Sequence, residues 1–546
     1  MNKINASDFK GMLRSACANL QNNAKHIDTL NVFPVPDGDT GTNMSMTFNS
    51  GYQDAIKCSS ESVSDIAKAF SKGLLMGARG NSGVITSQIF RGLYQYIEGK
   101  DEIDVNDISG AFENGARVAY KAIMKPVEGT ILTVIRESSW YANHDYESEH
   151  FEIEEYFNRL SKYAYESLQR TPDYLPVLKE VGVVDSGGTG LLKIIEGMKG
   201  YINGNPIDFD EKKQEVGVNP ALMLGNDDFG YCTEFIFRLD DNTLNKFDEK
   251  AFKKKINDMN TDSLVVVRDE ELVKVHVHTL KPGDILNLAQ RYGEFVKLKI
   301  ENMKEQHSSI IANAANNNEV KTNKERKRYG IITVAAGNGI TDLFKQLGAD
   351  IVITGGQTMN PSTQDFCKAI DELNYCDDII ILPNNSNIIL AANQAKNIAE
   401  DNNIYVIETK SIQAGLSALT YFDPDSDVDV NCETLNSVIK NIVCASVTYA
   451  IKDTSFEGID VKQGDYIGIL NKSIVSSNDD IKIVVSLILD EIVKYKDKEL
   501  LTLITGEGSD EELTKYIEDY INQNSSIEVN TIEGNQPVYS YLFGLE

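Results

Sequence analysis

The sequence predicts three domains: an all-α helical bundle over residues 1–204, a small α+β domain over 220–311, and an α/β domain with a largely parallel sheet over 329–546. Three observations predict this. The 546 residues exceed what one hydrophobic core normally supports. Apolar residues recur at spacings of three and four in the first third, then at two, and finally as apolar runs alternating with helical patterns. Two polar stretches, GNPIDFDEKKQEVGVNP (204–220) and ANAANNNEVKTNKERKR (312–328), read as linkers between these regimes.

In the first domain, Phe9, Met12, Leu13, Ala16, Cys17 and Leu20 mark the buried stripe of a first helix. The segments SDIAKAFSKGLLMGA, GVITSQIFRGLYQYI, AFENGARVAYKAIM, GTILTVIRESSWYA and GLLKIIEGMKGYI repeat the pattern. The joints carry Gly with Asp, Asn, Ser or Thr: DGDTGTN, ARGNSG, PVEGT and DSGGTG. Each precedes a helix, whose first N–H groups favour anions, so four such joints meeting at one end of the bundle would cradle phosphates. For any single joint a cap and a turn are explanation enough. Asp37 and Asp39 ask for more. Two carboxylates so close repel unless a cation neutralises them, and hard oxygen ligands are what Mg2+ selects, so magnesium bridging nucleotide phosphates is expected there.

In the middle domain, YCTEFIFRL and DSLVVVRD read as strands and KPGDILNLAQRYG as a helix. Alternation in VKVHVHT puts Val273, Val275 and Val277 on one strand face and Lys274, His276 and His278 on the other. Cys232 lies on another strand, and Cys with two His is a recognised zinc ligand set. Glu234, two residues along, or a water is the candidate fourth ligand. The residues alone also allow two solvated histidines and a core cysteine.

In the third domain, YGIITVAAGNG, ADIVITGGQTMNPS, DIIILPNNSN and IYVIETKSIQAG are apolar strands ending in Gly, Asn, Ser or Thr before helical patterns. That order sets binding loops at the carboxyl ends of a parallel sheet. LLTLITGEGSD and PVYSYLFG supply further strands. No histidine stands in these loops, so a binding domain is expected, and AAGNG reads as a turn.

A net charge of −29 repels phosphate backbones and anionic lipid, which makes nucleic acid and membrane surfaces poor partners; solubility alone also accounts for it. No apolar run approaches the roughly 18 residues of a membrane span. Seven cysteines without regular spacing argue against a disulfide framework, and MNKINASDFKGM lacks a signal-peptide apolar region, so a cytoplasmic protein is expected.

In this order, LNVFPVPDGDTGTNM, GARGNSGVI, KPVEGTILTV and VVDSGGTGLL resemble the nucleotide-binding domain of the dihydroxyacetone kinase family. With the two further segments, the whole chain resembles the kinase subunit of bacterial fatty acid kinases. The resemblance implies a helical barrel that holds ATP and magnesium at one end. Position by position, it implies Asp37 and Asp39 as the catalytic metal ligands and Thr40, Gly41, Thr42 and Asn43 as the turn that follows them. Asn81, Ser82 and Gly83 match a phosphate loop, and Thr130 and Asp185 fall in the two remaining nucleotide-side loops. Where dihydroxyacetone kinases carry a third metal aspartate this chain has Val32, with Asn31 as a candidate substitute. The resemblance also implies zinc on Cys232, His276 and His278, and a third domain that engages a separate fatty-acid-binding protein.

The expected reaction is ATP-dependent phosphorylation of a fatty acid carboxylate, giving an acyl phosphate. A carboxylate is already ionised at neutral pH and needs no general base, which suits a first domain whose histidines are only His26, His144 and His150. Two rivals stay open. A small hydroxylated acceptor such as dihydroxyacetone would need a base or a second protein chain, and a nucleotide- and metal-regulated scaffold would need no chemistry. A homodimer is a further open expectation.

Overall fold

The computed structural model describes residues 2–32, 38–123, 125–210, 231–240, 243, 247–257, 259, 262–269, 271–302, 326–355, 360–399, 403–456 and 458–546. The chain forms two compact units, Met1–Glu215 with Arg326–Glu546, and Val216–Glu325. The first and third predicted domains thus share one unit.

The helical part of that unit comprises α1 (Ala6–Thr29), α2 (Thr40–Lys57), α3 (Val63–Gly77), α4 (Gly80–Tyr96), α5 (Val105–Ala122), α6 (Ile131–Glu149), α7 (Ile153–Gln169), the short α8 (Thr171–Tyr174) and α9 (Pro176–Val181), and α10 (Ser186–Ile202). Asn5 and Asp8 close a capping box on α1, and Asp104 with Asp107 does the same for α5. The apolar stripe of α1 packs against α2 and α10. Small residues permit the close approach: a Cβ on Gly197 of α10 would lie 2.5 Å from Ala16 Cα of α1. Phe48, Phe70 and Phe90, from α2, α3 and α4, meet edge to face with centroids 5.1–5.5 Å apart and fill the centre of the core.

The second unit holds one antiparallel sheet of order β2-β3-β1-β4, formed by β1 (Tyr231–Leu239), β2 (Asp262–Asp269), β3 (Leu272–Thr279) and β4 (Gly293–Asn302). Val273, Val275 and Val277 are fully buried with Phe235 and Phe237, as the two-residue period requires.

The α/β part carries two sheets. The parallel one has order β6-β5-β7-β8, from β5 (Lys327–Ala335), β6 (Ile351–Thr354), β7 (Cys376–Leu382) and β8 (Asn403–Val406). The second comprises β9 (Val443–Tyr449), β12 (Tyr466–Leu470), β13 (Ser473–Asn478), β14 (Leu500–Thr505), β15 (Glu528–Glu533) and β16 (Tyr541–Leu545), in the order β13-β12-β9-β16-β14-β15. Only β14 and β15 run parallel there. β10 (Thr454–Phe456) and β11 (Ile459–Val461) make a separate hairpin. This mixed sheet adds to the predicted parallel one. Its tightest turn is Asn471–Lys472, where both residues have positive φ (47° and 84°), the geometry that returns one strand directly beside the last.

The α/β part seats directly on the helices. Ala78 and Val84 share an apolar cluster with Ile332, Val334 and Phe366, and Val32, Val177 and Val181 pack against the cluster of Phe456, Ile467 and Ile474. Gln394 Nε2 donates to Leu75 O (2.7 Å), and Lys452 Nζ donates to Thr29 O (2.9 Å) and to Asn31 O. Among the described residues no helix is long and apolar enough to cross a membrane.

Candidate functional site

All four polar joints sit at helix N-termini. α2 begins after Asp39, α4 after Arg79, α6 after Thr130 and α10 after Asp185. They open onto one cleft of roughly 460 Å3, lined by Asp39, Thr40, Asn43, Asn81, Ser82, Thr130 and Asp185. The starts of four helices therefore border one space, and helix starts favour anions. The start of α4 has no side-chain cap, while N–H groups of α2, α6 and α10 are taken in part by Asp28, Thr130 and Asp185. Gly41, Thr42 and Gly83 belong to the same turns but stand behind the wall. Gly41 lies against Ala24 O, Thr42 Oγ1 donates to Asp28, and Gly83 lies beside Thr47. Asp37 lies outside the described residues. Gly80 enters α4 with φ +58°, and a Cβ there would meet Asn43 Nδ2 at 2.5 Å, so this turn admits only glycine.

Capping explains two of the acidic or hydroxyl residues and fails for a third. Asp185 Oδ2 accepts from Gly188 N (2.6 Å), and Thr130 Oγ1 accepts from Leu132 N (3.4 Å). Asp39 occupies the N-cap position of α2 yet makes no capping bond. Asp28, in the last turn of α1, caps in its place, with Oδ1 accepting from Gly41 N (2.7 Å) and Thr42 N (3.2 Å) and Oδ2 from Thr42 Oγ1 (2.8 Å). Burial raises the Asp28 carboxyl against the pull of those donors. Asp39 Oδ2 instead accepts from Asn360 Nδ2 (2.6 Å), a residue of the α/β part.

Asp185 is partly buried where it borders the cleft. Desolvation pushes its carboxyl up to about 6, against donation from Gly188 and Ile131 N–H. Asn31, which also lines the cleft, ties two helix starts together, since its Oδ1 accepts from Thr40 Oγ1 (2.7 Å) and Ser186 Oγ (3.3 Å). Its amide oxygen is thus already engaged by hydroxyls.

Among its described residues the lining offers carboxylate, hydroxyl and amide oxygens with no imidazole or thiol, a donor set that fits Mg2+. A buried amide oxygen, Asn360 Oδ1, has no hydrogen-bond partner among the described residues and adds an unmet acceptor beside Asp39. No group of three or more His, Cys, Asp or Glu is assembled among the described residues. In the second unit the register sets Cys232 opposite His278 and Glu234 opposite His276 on adjacent strands. The side chains of these four lie outside the described residues.

The sequence reading missed Ser386 and Asn387, which also line the cleft, and it missed Asp28 and Asn360, which are not part of the lining but bond to Gly41, Thr42 and Asp39 of its wall. Ser386 and Asn387 follow β7 in LPNNSN, where the strand-end rule pointed. Asp28 and Asn360 carry no local motif.

Helix N-termini gathered round an oxygen-lined cleft fit a domain of the dihydroxyacetone kinase type, and residues 34–200 match the DAK2 domain. Residues 228–310 match the middle domain of the FakA-like fatty acid kinase family, and residues 330–546 match the C-terminal domain of the same family. The chain belongs to this FakA-like fatty acid kinase family, with a kinase-type phosphotransferase domain at its N-terminal end. It is 43% identical to protein YloV of Bacillus subtilis, over 100% of this chain and 99% of that one. An uncharacterized protein of Staphylococcus epidermidis is also 43% identical, over 100% of both chains. Solved structures similar in part include the DegV family protein Cg2579 from Corynebacterium glutamicum (13% identity, TM-score 0.33, 41% of this chain and 97% of that one). Another is the dihydroxyacetone kinase of C. freundii (11% identity, TM-score 0.31, 40% and 48%). At these scores neither adds to the functional reading.

Proposed function

We propose that the chain transfers the γ-phosphoryl group of ATP to the carboxylate of a fatty acid held by a separate fatty-acid-binding protein, giving ADP and an acyl phosphate. A carboxylate oxygen bonds to the γ-phosphorus while the bond from phosphorus to the β–γ bridging oxygen breaks, and that oxygen leaves with ADP. The observation that carries this reading is Asp39, an N-cap aspartate whose capping role has passed to Asp28, set among four helix N-termini. Asp39 and Asp37 would hold Mg2+, which when bound offsets phosphate charge. Thr40, Asn43, Asn81, Ser82 and Thr130 would bind and orient the phosphates, while Gly41, Thr42 and Gly83 hold their turns in place. Asp185 would order the start of α10.

An ionised acceptor suits this lining, which has neither histidine nor lysine among its described residues. A hydroxylated acceptor such as dihydroxyacetone would need a proton acceptor, and the Asp185 carboxyl is engaged with Gly188 N–H. In the middle domain we assign one structural zinc ion to Cys232, His276 and His278, supported by the cross-strand register of these residues. The cytoplasm, with its ATP and reduced thiols, is the compartment this chemistry requires.

Trapping with hydroxylamine tests the reaction. With ATP, Mg2+ and a lipid-loaded binding protein, an acyl hydroxamate should accumulate in step with ADP. ADP release stimulated by dihydroxyacetone, without hydroxamate, would replace the reading with the small-acceptor one. No ATP consumption with either acceptor would favour the scaffold.

A further inference from the structure

Asp39 belongs to the helical part, but one group that binds its carboxylate, the Asn360 amide, does not. Asn360 stands 321 residues later, in the segment that leads into the helix Thr363–Glu372, and its Nδ2 donates to Asp39 Oδ2 at 2.6 Å. The segment is pinned to the start of α4 from both sides. Arg79 Nη1 donates to Asn360 O (2.6 Å), Thr363 N donates to Ala78 O (3.1 Å), and Arg79 pairs with Ser362 in an antiparallel bridge. Asp365, which closes the capping box with Ser362, also lies 3.9 Å from the Arg79 guanidinium. Asn360 itself is 2% exposed. Its position is thus fixed by contacts on both its main chain and its side chain.

The chemistry of the amide matters. A neutral N–H donor orients one carboxylate oxygen without cancelling the negative charge, whereas Lys or Arg in the same place would supply the neutralising charge itself. Its other atom, Oδ1, is buried and without a hydrogen-bond partner among the described residues, which is uncommon for a buried amide oxygen. A water of hydration on a divalent cation is a donor that would satisfy it. Groups that orient a metal-binding carboxylate from behind tune the affinity for the ion.

We infer that Asn360 is a positioning residue for Asp39, so that divalent-cation binding in the kinase domain depends on a side chain supplied by the C-terminal domain. This rests on the assignment of Asp39 to the metal proposed above. The kinase site is then a composite of two domains, and any event that lifts the segment at residue 360 from α4 weakens cation binding without touching a residue of the helical domain.

Mn2+ binding to the full-length chain, in the presence of a non-hydrolysable ATP analogue and followed by electron paramagnetic resonance of the unbound ion, tests it. Asn360→Ala should raise the Mn2+ dissociation constant roughly tenfold or more. Asn360→Ser, whose hydroxyl is too short to reach Asp39, should do the same and guards against a folding defect in the first variant. In turnover assays the loss should be recovered by raising Mg2+, which repair of mere misfolding would not achieve. Gln394→Ala removes a different contact between the same parts, the bond to Leu75 O, and should bind Mn2+ like the natural chain. Unchanged Mn2+ affinity in Asn360→Ala and Asn360→Ser overturns the inference, as does an equal loss in Gln394→Ala. Unchanged affinity in Asp39→Ala would instead defeat the metal assignment itself.

Discussion

Asp28 and Asp185 show how much of the cleft end of the helical part is ordered by carboxylates bonded to the starts of helices. Asp28 accepts three hydrogen bonds at the start of α2 and thereby leaves Asp39 for other work. Asp185 holds the start of α10 with a carboxyl that desolvation raises to about 6. A carboxyl raised in the folded state binds its proton more tightly there than in the unfolded chain, so stability falls as pH rises from the ordinary carboxylate range to about 6 and stays lowered above it. Asp185→Asn keeps an acceptor for Gly188 N–H and removes the charge. In divalent-free buffer it should gain on the order of 2 kcal/mol over the natural chain at about pH 8, with the gain vanishing near about pH 4. Thermal unfolding across that range measures it, and a gain independent of pH would contradict it. Asp39, Thr130 and Asp185 were legible because cap and turn chemistry is local. Asp28 was hidden in the periodic pattern of α1, and Asn360 stood 321 residues from the group it meets.

Among the elements, α4 depends on its closeness to α2. A Cβ on Gly83 would lie 2.4 Å from Thr47 Oγ1, so Gly83→Val must push the start of α4 away from α2. Overpacking of this kind costs roughly 1–3 kcal/mol of stability, and a nucleotide titration should show weaker binding because the N–H groups at Asn81 and Ser82 move with the helix. Binding at the natural affinity would reduce the loop to a cap. The strands β1 and β3 carry the second element-scale expectation. Replacing His276 and His278 with Gln should remove zinc, detected by elemental analysis, and lower the melting temperature of the middle domain while nucleotide binding persists. A zinc-free natural protein purified without chelators would end that assignment. Periodicity made β1 and β3 legible, since their buried faces alternate. The β12–β13 hairpin was not, because Lys472 adopts a φ of 84° that a sequence reading expects of glycine or asparagine.

At the scale of the molecule, the division into three regimes followed from composition and period, which are properties of each segment taken alone. The seating of the α/β part on the helices did not. It is written in small apolar residues such as Ala78, Val84, Val177 and Val181, which look like ordinary members of their own segments. This unit is built from two stretches of chain, Met1–Glu215 and Arg326–Glu546, and that has a consequence for how the protein is made. A ribosome adding roughly 5–20 residues per second delivers the helical half first and then spends on the order of ten seconds or more on the intervening stretch and the strands that cover it. Throughout that interval the nascent chain shows the surface around Ala78 and Val84 to solvent, without its natural cover. A fragment ending near residue 204 freezes this moment. It should fold as helices by circular dichroism yet bind a hydrophobic dye and associate at micromolar concentration, and mixing it with residues 326–546 should abolish both behaviours.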